Sequence, residues 1–217
     1  MSATSNATLH AQDTRIPLSI TLEFPDHPDE RVRRIELALN AGRIYHAMIA
    51  RRAVREALIE QLVDTGLAAI VPADGGLIGN LMVWENLVLP AGYHNDGARD
   101  YAGRAGHAGY AGLEARAAGL FAEFGITGER FAALCTAMPD HLDRFEMRLC
   151  AFVRAMLTAP SVMVYDSLFD GLNRDETAKV LAFDRVYHTR LADGTSVHLT
   201  ADLPTLPDLG AHATFHL

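Results

Sequence analysis

Lysine is nearly missing from this chain. Of its 19 Lys and Arg residues only Lys179 is a lysine, so chemistry that needs an ammonium must use that residue or do without. Cysteine is almost as scarce: Cys135 and Cys150 are too few for a disulfide framework and do not stand at a metal-ligand spacing. No apolar run reaches the roughly 20 residues of a bilayer helix, and the stretch 149–157 is interrupted by Arg154. The first 15 residues are polar and contain no hydrophobic core of a signal peptide, which predicts a cytoplasmic protein. Positive charge is also lacking. A formal net charge of -8 removes the electrostatic case for a dedicated nucleic-acid binder. What remains is 217 residues, 49% hydrophobic and 21% charged, enough to bury the core of one domain and too apolar for a disordered tail protein.

Along the chain, residues 1–14 read as a loose polar tail and 15–217 as a single domain. Ile16–Phe24 and Val32–Leu39 alternate apolar and polar residues, the period of half-buried strands. Asn40-Ala41-Gly42 predicts a turn into the short strand Arg43–Ile49. From Arg52 to Val63 the apolar residues Val54, Leu58, Ile59 and Leu62 recur at helical spacing. Ala68–Val71 then reads as a buried strand ending at Pro72. Glycine at every third place between Gly97 and Gly112 predicts a flexible surface loop. The spacing of Leu113, Ala117, Leu120, Phe121 and Phe124 predicts a helix stopped by Gly125, so that about 92–145 forms a Gly/Ala loop and a helical subdomain. Further helices are expected over Arg144–Leu157 and Arg174–Leu191, and strands over Ser161–Asp166, Thr195–Thr200 and Ala213–Leu217. This β–α–β alternation predicts an α/β domain with a mainly parallel sheet.

Few residues advertise chemistry by themselves. His188, His198, His212 and His216 form neither an HxH nor an HExxH pattern, and are expected as surface or edge histidines without a metal. Ser167 follows Asp166 without the glycines of a nucleophile elbow. Trp84, the only tryptophan, is expected either in the core or as an anchor facing a partner.

The order of short segments is more telling. Pro139, Leu142-Asp143-Arg144-Phe145-Glu146, Arg148, Arg154-Ala155-Met156, Pro160, Val162–Leu168 ending in Asp166, Gly171-Leu172-Asn173 and Leu199–Asp202 follow one another at fixed intervals. This series resembles the signature helix, Walker B strand, D-loop and switch strand of ABC transporter nucleotide-binding domains. Gly75 to Pro90, reading GGLIGNLMVWENLVLP, is similar to the segment after the Q-loop in ATPase subunits of Mla- or MCE-type phospholipid-transport systems. The resemblance spans roughly residues 30–205. It implies a P-loop-NTPase-like parallel sheet flanked by helices, with a helical subdomain and a shortened N-terminal β part.

The resemblance also shows what has been replaced. The phosphate-binding loop falls on Ala47–Ala57, which holds neither glycine nor lysine, so no nest of amides with positive φ is expected there. Arg55 stands near the lysine position, and the hydroxyl position falls on Glu56 or Ala57. The Q-loop glutamine falls on Ala73, the catalytic glutamate on Ser167 and the switch histidine on Ala201. Asp166 alone keeps its metal-side identity. Losing phosphate binding, water activation and the histidine together implies a pseudo-ATPase without catalytic residues, metal or cofactor. The expected role is a non-catalytic subunit or regulator of a membrane lipid-transport system, cytoplasmic or peripheral at the inner membrane face. Its expected partners are an ABC permease, an active ATPase subunit, or a second copy in a homo- or heterodimer, with Trp84, Glu85 and Asn86 at the partner interface. Two alternatives stay open: an ATPase subunit that still holds Mg-ATP through Arg55 and Asp166, and a stand-alone protein-binding module on a reused fold.

Overall fold

The computed structural model describes residues 18–25, 32–94, 107–201 and 207–216. The polar tail 1–14, the glycine triplets before His107 and Asp202 lie outside the described residues. Strands β1 (Leu18–Pro25) and β2 (Val32–Leu39) pair antiparallel as a hairpin. Five parallel strands form the main sheet in the order β4-β5-β6-β3-β7: β3 Ile44–Met48, β4 Ala68–Pro72, β5 Val162–Asp166, β6 Thr195–Thr200 and β7 Ala213–His216. Helix α1 (Arg52–Asp64) crosses from β3 to β4. Helices α2 (Val83–His94), α3 (His107–Ala122), α4 (Gly128–Thr136) and α5 (Arg144–Leu157) lie between β4 and β5, and α6 (Arg174–Arg190) between β5 and β6. No helix among the described residues is long and apolar enough to cross a membrane.

The sheet separates two cores because alternate residues of each strand face opposite ways. On one face Tyr45, Ala47, Val162, Val164, Val197 and Leu199 meet Val54, Leu58 and Leu62 of α1, with Leu37 and Leu39 of β2 closing the outside. On the other face Met163 and Tyr165 meet α5 and α6. There Phe183 of α6 stacks on Phe152 of α5 at 4.7 Å and 14°, while Phe124 stands edge-on to Phe183 at 5.2 Å. Such pairs add to the area they bury because ring quadrupoles favour offset and edge-on contacts. Two helices start on capping boxes: Asp143 with Glu146 opens α5, and Asn173 with Glu176 opens α6.

Most strand and helix expectations agree with this architecture, but two do not, and one helix had no counterpart among them. Helix α3 begins at His107, inside the expected glycine loop. His107–Gly112 contains neither proline nor a β-branched residue, so the packed stripe Leu113, Ala117, Leu120 and Phe121 propagates the helix backwards. The Trp84–Leu89 run is helical despite Pro90, which stands in the last turns of α2. His198 is no surface residue: it lies 2% exposed on β6, inside the sheet.

The aromatic stack generates the first prediction. Phe183→Ala should remove about 3–5 kcal/mol of stability by opening a cavity against Phe124 and Phe152. Urea unfolding should show a lower midpoint at unchanged slope; a loss under about 1 kcal/mol would mean that the site collapses freely.

Candidate functional site

The carboxyl ends of β3, β5 and β6 bring together several of the positions singled out in the sequence, Arg55, Asp166, Ser167 and Ala201. Three residues, Ile49, Ala50 and Arg51, separate β3 from α1. Ile49 is fully buried and its N–H donates to the Thr200 carbonyl at 2.7 Å, so the turn is pinned to the sheet edge. A turn this short, with a Cβ on every residue, does not form the ring of amides that wraps a triphosphate.

Arg55 then reaches across from α1 to the end of β5. Its Nε lies 3.4 Å from Asp166 Oδ1, and its guanidinium donates to Ser167 Oγ at 3.2 Å. The Ser167 hydroxyl in turn donates to Asp166 Oδ1 at 3.3 Å. Both charged side chains are about four-fifths buried, at 21% and 23% exposure. Burial pushes the Asp166 carboxyl above its usual range, although Arg55 and the Ser167 hydroxyl pull the other way. Ser167 sits at φ 54, a left-handed conformation unusual for serine. It is held there by its N–H on the Leu199 carbonyl at 2.9 Å and by Asp170 N–H on its own carbonyl at 3.0 Å. The cavity beside Ser167, Tyr165 and His198 is about 10 Å³, the size of one water molecule.

The remaining expected positions fall around this pair without adding reactive groups. Glu56 turns outward and pairs with Arg52 at 2.7 Å, so it does not point into the phosphate place. Ala201 follows β6 and Ala73 follows β4, each with only a methyl group to offer. Lys179 is no closer: it stands over the Phe145 ring at 5.3 Å, lining an open groove of about 600 Å³ between the helical region and α6. No group of three or more His, Cys, Asp or Glu residues among the described residues is placed to hold a metal ion. A magnesium–triphosphate group therefore does not fit the residues present. The cation position beside Asp166 is taken by a guanidinium, and the phosphate cradle is missing.

Arginines of α5 hold the surrounding loops. Arg154 donates to the carbonyls of Gly76 at 2.7 Å and Gly75 at 3.2 Å. Gly75, at φ +78, passes so close to α5 that a Cβ would lie 2.8 Å from the Met147 carbonyl oxygen. Arg148 donates to the Asp170 carbonyl, and Arg144 to the Gly171 carbonyl at 2.6 Å. These contacts carry no sequence signal beyond the arginines themselves, since backbone carbonyls are present everywhere.

The expected partner face divides. Glu85 is exposed and caps α2 by accepting from Met82 N–H at 2.8 Å. Trp84 is partly buried against the core. Asn86 is not on the surface: it is 1% exposed, accepts from Ile78 N–H at 2.7 Å, and donates towards the carbonyls of Ile78, Leu81 and Met82 at 3.1 Å. Its amide fixes the loop before α2, which excludes it from direct contact with another chain. Sequence reading missed the exposed apolar residues beside it: Ile78 at 44%, Met82 at 46% and Leu89 at 40%. The alternation of the segment held that signal, because Met82, Glu85 and Leu89 fall on one helical face.

Neither a protein-family model nor a curated protein matches this chain. Solved structures do. The chain is similar to cbiO1 from Clostridium perfringens, described as part of the ABC transporter complex cbiONQ, at TM-score 0.65 and 13% identity, covering 90% of this chain and 81% of that one. It is also similar to a chain of a putative metal-chelate type ABC transporter in an inward-facing conformation, at TM-score 0.63 and 13% identity, covering 85% and 72%. The fold is that of ABC transporter ATP-binding components.

The Asp166 environment generates the second prediction. An unfolded aspartate ionises near about 3.9, and the folded carboxyl ionises above its usual value. The folded state therefore binds the proton more tightly, and stability falls as pH rises through that window. Asp166→Asn should raise the melting temperature near neutral pH, and the gain should fade as pH drops into the carboxylate range. A variant destabilised equally at both pH values would contradict the balance of burial over pairing.

Proposed function

We propose that this chain is a non-catalytic, ABC-ATPase-like subunit or regulator of a membrane lipid-transport system, docking on a permease or on an active ATPase subunit. The observation that carries this reading is the Arg55–Asp166 contact at the end of a three-residue turn. Transfer of a phosphoryl group depends on positioning and on countercharge. Here the metal-side carboxylate spends its charge on an internal guanidinium, and Ser167 in the glutamate position is no base near neutral pH. The fold supports the transporter setting, since both structural neighbours come from ABC transporters. The lipid cargo rests on the spelling of Gly75 to Pro90.

Docking is supported by the same segment. Ile78, Met82 and Leu89 are three of the four large apolar side chains exposed among the described residues. They border a loop that Asn86 holds rigid from inside. An apolar patch on a preformed scaffold suits a helix-in-groove contact with a permease. Trp84 packs against the core, and Glu85 adds an exposed charge bonded to the Met82 N–H.

Two measurements test the reading. Mg-ATP at about millimolar concentration should leave the melting temperature unchanged, because a ligand that binds only the folded state would raise it. A micromolar dissociation constant by calorimetry would instead establish the nucleotide-binding alternative. Met82→Glu should abolish co-purification with an ABC permease at a melting temperature close to that of the parent chain, and Glu85→Arg should do the same while losing only the stability of one helix cap. Retained co-purification in both variants would remove the patch from the interface, whereas a parent chain that co-purifies with no permease would leave the stand-alone module as the better account.

A further inference from the structure

One half of the sheet is polar where a core is expected. A single cross-strand row runs Val71, Tyr165, His198, His46 and Thr214 through β4, β5, β6, β3 and β7. Tyr165 is fully buried, His198 is 2% and His46 6% exposed. The Tyr165 hydroxyl, both His198 ring nitrogens and His46 Nε2 have no hydrogen-bond partner. Four orphaned atoms on three neighbouring side chains are a costly arrangement for a fold to keep.

The two histidines have different surroundings. His198 stacks on Tyr165 at 4.5 Å and faces the 8% exposed Asp184 of α6, whose Oδ1 lies 3.6 Å from His198 Nε2 and 3.7 Å from His188 Nε2. His188 also contacts Ser196 Oγ at 3.1 Å. A proton on His198 thus meets a carboxylate. His46 meets none: its titratable neighbours are His198 on β6 and His216 on β7. Burial first, then these two imidazoles, holds His46 below its ordinary value. Beyond them, α6 presents Asp184, His188 and the exposed Arg185, β5 presents Tyr165, and Asp170 lines the small cavity beside His198. The weakest neighbour is β7. It is four residues long, it pairs with β3 alone, Thr214 and His216 are exposed, and its Phe215 stacks on Tyr45 at 5.7 Å.

We infer that His46 is an acid-operated latch: protonating it releases edge strand β7 from β3, while His198 and Asp184 keep α6 seated on the rest of the sheet. A charged imidazole cannot stay buried beside His198 in that row, with His216 nearby on β7, without water, and the four-residue edge is the element that gives way at least cost. The sign follows from the direction of the shift. The open form binds the proton more tightly than the closed form, so closure is favoured near neutral pH and lost as pH falls below about 6.5.

Hydrogen exchange read by mass spectrometry over Ala213–His216, corrected for intrinsic rates, tests the latch on the full chain. Protection of β7 should fall by at least about tenfold between about pH 7 and about pH 5, while α5 and α6 keep theirs. His46→Phe, which keeps a buried ring without a proton site, should hold β7 protected at both pH values. If that variant does not fold, NMR titration of the parent chain decides. A His46 resonance that titrates in step with loss of the β7 amides supports the latch. A His46 that titrates at the ordinary value with β7 amides unchanged overturns it, as does pH-independent protection of β7.

Discussion

The structure depends on how α5 is seated. Leu149–Val153 are each fully buried, with Ala155, Met156 and Leu157 only slightly less so, and the helix packs at once on β4, α2, α3 and α6. A helix enclosed this way has few places for charge, yet it carries Arg144, Arg148 and Arg154. Each guanidinium leaves the apolar surface at a point where a loop carbonyl waits: Gly75 and Gly76 after β4, Asp170 and Gly171 after β5. Burial lowers the proton affinity of Arg148 and Arg154, and in this setting a guanidinium is better suited than an ammonium because its planar fork can bridge two carbonyls. The near absence of lysine noted from composition has its physical counterpart here. The arginines of α5 are structural ties to the loops that follow β4 and β5.

Those ties fix the shape of the loops at this end of the sheet. The loop after β5 is fixed by Arg144, by Arg148 and by the strained Ser167, and the loop after β4 by Arg154 and the close approach of Gly75 to α5. None of these contacts requires a bound ligand. The backbone at Ser167 is supported by these contacts and by its own N–H on the Leu199 carbonyl. The αL conformation of Ser167 is retained although serine has little intrinsic preference for it, which is the behaviour of a backbone determined by its neighbours.

How much of this was legible depended on periodicity. Strands such as Thr195–Thr200 and helices such as Arg144–Leu157 were readable because their apolar residues repeat at 2.0 or 3.6 and turn residues bound them. Helix α4 gave no such sign: Leu134 is the one buried residue of its nine. The start of α3 was misread because glycine propensity is local, whereas the packing that extends the helix lies downstream. At the site, the positions of Arg55, Asp166 and Ser167 were legible from motif order, but their mutual contact was not, since 111 residues separate the arginine from the aspartate. The polar row through His198 and His46 was invisible for a related reason. Strand register places them side by side, and one-residue changes in register would place them apart.

The short turn into α1 has a consequence for how the molecule responds to its surroundings. In a metal-dependent fold the countercharge of a buried carboxylate is exchangeable, and its occupancy follows the free ion concentration. Here the countercharge is covalently part of the chain, three residues into a helix whose entry is pinned to β6 by Ile49. Its effective concentration at Asp166 is set by bond lengths rather than by solution composition. The contact between α1 and the end of β5 is therefore a property of the chain itself, and the contour it gives this end of the sheet is fixed by the same bonds that fix the helix entry.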